Sequence, residues 1–424
     1  MTTRRLLRYS HLPCALTLAA LLGASAAWSQ TQPPVKRQDD EGEYHERPAS
    51  PHKRDDDNGW SYAGKGLQYQ SEDGNILQWF GLRGQFRYSY PFSSDPVTPG
   101  DFGGNDTHTF SVRRARFKTG GHLLRPWLSN FVEIDLKNKR FYHGYLQIRK
   151  VRWFQLRFGQ WKAEFSRERV VSSGKQQLVD RSIVNRDFTV DAQFGAMLHG
   201  RLFRHRPFDS QYYFGVFAGN GRLSLGDGDG FPMYLWRYQW NFMRRDAGFT
   251  ESDVERHETA AGSVSVSVVR NRSPYTRFNG DGGAQLEGFE PGVPGQYDLT
   301  QANVDAVYFY KGLSLQTEFH WKKVEDRVNR TLRRLRGVYF QAGYFPSEAL
   351  SWVPSPLEVA GRVAFVDPDL QVREDARSEY TVGVNWYFQR HRNKLNFEVA
   401  RLGVDDPSGD LSDTRVRIQW EVSL

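Results

Sequence analysis

The sequence of 424 residues holds one cysteine, Cys14, and it lies close to the front edge of the chain. The rest has no thiol for a disulfide, a thiolate metal site or a cysteine nucleophile, which suits an exported protein held together by other means. Long apolar runs are also missing. Beyond the first 30 residues no stretch approaches the roughly 20 apolar residues that a membrane-spanning helix requires. Catalytic signatures are absent too. There is no nucleophile elbow, no metalloprotease helix and no P-loop, since Gly174-Lys175 is followed by Gln176 and has no glycine at the needed spacing upstream. His108, His122, His199 and His320 fall in no metal-binding spacing, and Asp227-Gly228-Asp229 reads as a plain turn before it reads as a calcium loop. Neither an enzyme activity nor a cofactor or metal is therefore expected.

What is present begins with Arg4, Arg5 and Arg8, followed by a mostly apolar run from Ala15 to Ala27 and an abrupt polar turn. This is the layout of a secretory signal peptide, and the small residues of Ala24-Ser25-Ala26 and Ala27-Trp28-Ser29 put cleavage after Ala26 or Ser29, of which Ser29 is favoured. Residues 1–29 are then the signal, and losing its three arginines lowers the formal net charge from +8 to +5. Residues 30–60 form a charged tract, with Lys36-Arg37-Gln38-Asp39-Asp40-Glu41 and Lys53-Arg54-Asp55-Asp56-Asp57, too polar to bury a core and read as a disordered leader. The remainder, 61–424, carries the fold.

Aromatic residues make up 14% of the chain although its mean hydropathy is strongly negative. The two facts fit together if apolar residues alternate with polar ones. Leu313, Leu315, Thr317, Phe319 and Trp321 share one face of a period-two stretch, opposite Ser314, Gln316, Glu318, His320 and Lys322; Val416, Ile418, Trp420 and Val422 repeat the pattern opposite Arg415, Arg417, Gln419 and Glu421. A soluble sandwich strand alternates as well. Length and charge separate the two readings. Stretches such as 75–90, 107–120 and 298–310 exceed the usual soluble strand, and faces such as Glu133, Asp135 and Lys137 carry charge that a dry core tolerates poorly. The expectation is an all-β, 16-stranded antiparallel transmembrane barrel with an open aqueous channel. Tight turns such as Asp73-Gly74 and Lys311-Gly312 alternate with long polar linkers at 164–192, 221–231, 244–257 and 271–297, as short periplasmic turns and long extracellular loops would.

Arginine outnumbers lysine 44 to 13. Its planar fork grips phosphate and carboxylate groups at two points. Several arginines fall on the water face: Arg83 and Arg87, Arg114 and Arg116 with Lys118, Arg157, and Arg237. Arg113 has the wrong parity for that face unless a bulge rotates it. The long 164–192 segment adds Arg167, Arg169, Lys175, Arg181 and Arg186, and folding into the lumen would bring some of them to the constriction. Such groups attract and partly dehydrate anions. The competing role is structural, with the same arginines balancing lumen acids such as Glu133, Asp135 and Glu358.

The stretch Gly66-Leu67-Gln68-Tyr69 with Asp73-Gly74-Asn75, the run Val112-Arg113-Arg114-Ala115-Arg116-Phe117 and the segment Phe158-Gly159-Gln160-Trp161-Lys162-Ala163-Glu164-Phe165-Ser166 resemble the phosphate-selective porins O and P. The likeness continues through Ser172-Ser173, Asp180-Arg181-Ser182, Tyr310-Lys311-Gly312-Leu313 and Glu379-Tyr380-Thr381-Val382-Gly383 to the end of the chain. Leu424 stands where these barrels typically have a terminal aromatic. The resemblance implies a homotrimer of outer-membrane barrels in which an arginine ladder and loop lysines conduct phosphate or related anions. Arg83, Arg113, Arg114, Arg181 and Arg237 become ladder candidates and Lys175 a loop lysine. The expected partners are small anions such as phosphate and outer-membrane lipid, and no nucleic acid. A weakly selective porin, a barrel enzyme acting on lipids and a soluble exported binding module are the alternatives.

Overall fold

The computed structural model describes residues 59–63, 66–102, 107–225, 230–278, 282–407 and 409–424. The signal peptide, the charged leader up to residue 58 and Asp227-Gly228-Asp229 lie outside the described residues. Gly59 and Trp60, counted above with the leader, already belong to a strand.

Eighteen strands follow in chain order: β1 Gly59–Ala63, β2 Gly66–Gln70, β3 Leu77–Tyr90, β4 Thr109–His122, β5 Leu128–Asp135, β6 Arg140–Val151, β7 Phe154–Lys162, β8 Ala192–Leu202 and β9 Ser210–Phe217. The series continues with β10 Met233–Trp240, β11 Ala261–Ser273, β12 Tyr297–Tyr310, β13 Leu313–Asp326, β14 Thr331–Tyr344, β15 Leu357–Asp367, β16 Arg377–Gln389, β17 Asn393–Val404 and β18 Leu411–Ser423. From β3 onward each strand pairs antiparallel with the next, and β18 returns to β3 from Val416 opposite Tyr90 to Ser423 opposite Arg83. Sixteen strands thus close into a barrel without a free edge, which satisfies every ladder hydrogen bond in lipid. The β1–β2 hairpin pairs with the foot of β3, Leu67 opposite Phe80, just past the end of β18. Gly66 makes that crossing possible: its φ is +112° and a Cβ there would sit 2.3 Å from the Phe80 carbonyl oxygen.

Alternation sets the two faces. On β10, Tyr234, Trp236, Tyr238 and Trp240 are exposed outward, while Met233, Leu235, Arg237 and Gln239 are buried inward. One rim bears the connections 91–108, 218–232 and 274–296; the other bears 123–127, 152–153 and 311–312. Long loops mark the first rim as extracellular and short turns the second as periplasmic. The exception is the linker expected at 244–257. It belongs to the connection 241–260 between β10 and β11, which leaves from the periplasmic rim, and its residues Ala247, Glu251, Ser252 and Asp253 are buried. Linker length read from sequence does not say which rim a linker serves.

The segment 163–191 leaves the extracellular rim and folds into the lumen, as expected of a constriction loop. Two short helices, α1 Arg167–Val170 and α2 Val184–Phe188, shape it, the first capped by Ser166 Oγ accepting the Arg169 N–H at 3.2 Å. The loop stays inside because part of the lumen wall is apolar. Phe165 and Val190 pack with Met197, Phe217, Met233, Leu235 and Val269, and Ile183, Val184 and Phe188 pack with Leu299, Val324, Leu335 and Val366. Burying such side chains is worth about 1.5–3 kcal/mol each.

Candidate functional site

The loop and the wall divide the charges between them. On the far arc of the barrel, wall carboxylates hold the loop backbone: Glu318 accepts the Glu168 N–H at 2.5 Å, Glu398 the Val179 N–H at 2.8 Å and Glu379 the Ile183 N–H at 2.9 Å. Glu358 accepts the Gln177 side-chain amide at 2.7 Å and the Ser252 hydroxyl at 2.5 Å. These acids satisfy backbone and amide donors that would otherwise be buried without partners. Two of them pair with wall arginines as well, Glu379 with Arg362 and Glu398 with Arg417 of the near arc, formed by β18, β3 and β4.

A β-bulge on β4 organises that near arc. Gln85 pairs with Arg114 and the next residue, Phe86, pairs with Val112, so Arg113 is the extra residue. The bulge gives Arg113 the inward reach that strict alternation denies it. Arg113 and Arg114 then both approach Asp180 of the constriction loop, each with a nitrogen 3.8 Å from Oδ1. Arg87 donates to Oδ2 at 2.5 Å and Arg417 at 3.2 Å. One carboxylate therefore faces four guanidiniums from three strands, and among the described residues only Arg417 of the four has a second acid, Glu398, which accepts from its Nε at 2.5 Å. Burial alone would raise the Asp180 pKa, but Arg87, Arg113, Arg417 and Arg114 outweigh it and hold the carboxyl well below the usual range. Arg113 is 45% exposed, whereas Arg87 is 3% exposed.

Below this cluster lies a second one. Arg83 donates to the hydroxyls of Ser172 and Ser173 at 3.1 and 2.8 Å, tying the near arc to the loop. Arg116 donates to Glu133 at 2.7 Å and lies 3.5 Å from Asp135. A second bulge, where Glu133 pairs with His143 and Ile134 with Phe141, leaves Tyr142 as the extra residue. Its ring is stacked between Arg116 at 3.6 Å and Arg222 at 3.9 Å.

The other expected residues are dispersed. Arg157 is buried against Glu164 at 2.6 Å, and Arg237 is 1% exposed with its fork on Asp305 at 2.6 and 2.9 Å. Arg181 donates to the carbonyls of Glu168 and Val171 within its own loop, and Arg186 is held by Asp187 and by Glu287 of the outer connection 274–296. Lys175 is exposed at the loop tip, where its carbonyl meets the Glu251 N–H of the periplasmic connection at 3.3 Å. That contact, with Glu251 accepting the Gln177 N–H at 2.9 Å, joins two segments entering from opposite rims. Sequence reasoning missed Asp180, Arg222 and Tyr142 as site residues. The parity that picked out Arg83 also marks Arg87 and Arg417, but nothing local marks a loop aspartate.

One loop group is poised to titrate. Burial raises the Glu168 pKa from the ordinary 4.5 to about 8; Arg362 at 3.9 Å opposes this, Glu318 and Glu251 reinforce it, and the Ser182 N–H opposes it. The folded loop therefore keeps a proton that a free glutamate has released, so loop stability falls as pH rises from 4.5 and levels off above about 8. Open-channel noise recorded between pH 6 and 9 is expected to grow toward alkaline pH. Glu168→Gln, permanently neutral, is expected to flatten that dependence; an equally pH-dependent variant would assign the effect to another group.

Residues 80–232 and 290–408 match the family described as phosphate-selective porin O and P. No curated protein matches the sequence. Among solved structures, an anion-selective porin from Comamonas acidovorans is similar at 11% identity with a TM-score of 0.55, over 82% of this chain and 99% of that one. The in-vitro folded outer-membrane protein OmpT of Vibrio cholerae gives 11% and 0.52, over 82% and 98%, and the outer-membrane channel DcaP of Acinetobacter baumannii 13% and 0.50, over 82% and 96%. At such identities these likenesses establish the fold alone. The family match covers most of the barrel wall and the whole inward loop, and with the sixteen-stranded closure around that loop it makes the chain a porin of the bacterial outer membrane, a member of the phosphate-selective porin O and P family.

Proposed function

We propose that the channel prefers anions and passes oxyanions of the phosphate class by passive diffusion. The observation that carries this reading is the meeting of four guanidiniums with Asp180, two of them beyond hydrogen-bond distance and one of them well exposed. A charged cluster in a narrow, partly dry lumen focuses counter-ions and substitutes for part of their hydration shell. Arginine forks suit the several oxygens of phosphate better than the single sphere of chloride. The fold and family are those of a channel and not of an enzyme. Assembly as a homotrimer in outer-membrane lipid belongs to the same proposal and rests on the family.

A second reading, modest selectivity among small anions, draws support from the acids that pair much of the lower ladder, with Glu133 within 3.9 Å of Arg83, Arg116 and Lys118. Single channels in planar bilayers separate the two. A reversal potential of anion sign in a chloride gradient, with chloride current blocked by added phosphate, is the expected result. Anion preference without block would favour the second reading, and cation preference would remove both.

A further inference from the structure

The outward face of β11, β12, β13 and β14 changes character along its height. Near the periplasmic rim it carries Tyr308, Tyr310 and Tyr344, and beyond them Val266, Val304, Phe319 and Phe340 form an apolar band. Tyrosine at the interface and apolar side chains in the hydrocarbon are what lipid demands. The next rows are charged. Arg270 stands directly opposite Thr300, Thr300 opposite Lys323, and Lys323 opposite Arg334, so one cross-strand row runs over four neighbouring strands. Alternation turns all four outward, since Asn271, Gln301, Lys322 and Leu335 beside them are buried on the lumen side. Thr300 is eight residues beyond Tyr308 on β12, a height of roughly 20 Å at barrel tilt, which puts the row at the extracellular edge of the apolar band.

Cations outnumber acids in this row and its neighbours. Asp298 pairs with Arg272 at 2.8 Å and with Arg327 at 3.7 Å, Glu325 with Lys323 at 2.7 Å, and Asp367 with Arg336 at 3.1 Å. Every acid is thereby matched. Arg270 and Arg334 are exposed and have no carboxylate within 4.0 Å among the described residues. Arg334 also faces the like charge of Lys323 across the ladder, an arrangement that repels unless an anion lies between them. Charge on a lipid-facing wall costs more the deeper it lies, so an unmatched row at this height calls for counter-charge from the membrane. Tyr234 and Val216 continue the row on β10 and β9, which confines the cations to one arc of the barrel.

We infer that this arc is a docking site for a phosphorylated glycolipid of the outer leaflet. The forks of Arg270 and Arg334 take its phosphates at two points each, and Lys323 and Thr300 between them donate to phosphate and sugar oxygens. Its acyl chains lie along Val268, Ala302, Trp321 and Val338, one row further into the band. Arg270 and Arg334 are three strand spacings apart, about 14 Å, a span that a headgroup with two phosphates can bridge. The leaflet follows from the sidedness, because the periplasmic end of the same four strands presents tyrosines where this end presents cations. The site is on the outside of the wall and is independent of which ion the lumen passes.

The double variant Arg270→Gln with Arg334→Gln tests this. Purified wild-type channel in detergent is titrated with diphosphorylated lipid A, with bound lipid counted by native mass spectrometry and the barrel followed by the temperature at which its folded gel band converts to the unfolded one. The wild type is expected to bind the lipid and to convert at a higher temperature, and the glutamine variant to need about tenfold more lipid for the same rise. The paired lysine variants, which keep the charge and lose the two-point grip, should fall between them. Lipid A stripped of its phosphates should give little rise in any channel. Without lipid, conversion temperature and chloride reversal potential should be the same in wild type and glutamine variant, since the barrel and its lumen are untouched. Equal affinity of those two channels for diphosphorylated lipid A, or an equal response to the stripped form or to phosphatidylglycerol, would overturn the inference. Separation of subunits in the glutamine variant without lipid would overturn it too, and would make the arc an interface between copies of this chain.

Discussion

Replacing Arg113 and Arg114 together with alanine is expected to abolish most of the anion preference, bringing the reversal potential in a chloride gradient close to zero. Both side chains approach Asp180 at 3.8 Å and neither has another carboxylate within 4.0 Å among the described residues, so their charge is the least neutralised in the upper cluster. A unit charge about 4 Å from a passing ion contributes about 1 kcal/mol in water and about 4 kcal/mol near a protein surface. Loss of two such charges exceeds the 1.4 kcal/mol of a tenfold change, so the chloride-to-potassium permeability ratio should fall by about tenfold or more. The paired lysine variants separate charge from shape. They keep the sign and should keep most of the chloride preference, but they lose the two-point grip and should weaken phosphate block. Arg157→Ala serves as the control, because Arg157 is sealed against Glu164 and its loss should leave selectivity where it was. A loss in Arg157→Ala that matches the double alanine variant charge for charge, with the lysine variants unaffected, would mean that net charge, not this cluster, selects the ion.

The arginines of the near arc were legible because period-two alternation fixes which side of a strand a residue takes. Arg83, Arg114 and Arg116 needed nothing more. Arg113 needed a bulge, which its wrong parity demanded and which the pairing of Gln85 with Arg114 and Phe86 with Val112 supplies. Tyr142 sits at a second bulge that no parity argument singled out, because an inward tyrosine and an outward one are equally plausible on a porin strand. The wall acids show the limit of strand-level reading. Glu318, Glu379 and Glu398 look like lumen charges that neutralise arginines, which Glu379 and Glu398 do for Arg362 and Arg417, but all three also accept from loop N–H groups more than a hundred residues away. Such contacts depend on the path of the loop, and that path follows from buried packing of Val184, Phe188 and their neighbours against an apolar part of the wall. Alternation does not foretell apolar residues on both faces of one strand. The inward course of 241–260 was hidden for the same reason, since its polar composition reads as solvent-exposed until Glu251 and Ser252 find partners inside the barrel.

Arg237 looks like a ladder arginine in sequence, and its expected behaviour differs most sharply from one. Its guanidinium is 1% exposed, lies in two-point contact with Asp305, and also donates to Ser265 and Ser267 and to the Phe165 carbonyl at the base of the constriction loop. Arg237→Ala would leave Asp305 as an uncompensated buried charge beside Glu318, a change that costs about 3–5 kcal/mol. Heat-modifiable migration should then convert to the unfolded band at a clearly lower temperature, and loss of the Phe165 contact should add noise to the open channel, with the reversal potential little changed. Pairing Arg237→Met with Asp305→Leu removes both charges in one step and should recover most of the lost stability, since a buried ion pair is often replaceable by apolar side chains of similar volume. A loss of anion preference in Arg237→Ala comparable to that of the Arg113 and Arg114 pair would place Arg237 on the ion path after all. Retained selectivity with lowered heat resistance would instead separate the arginines of this barrel into two kinds, those whose charge is left open to the lumen and those whose charge is used up in holding the loop to the wall.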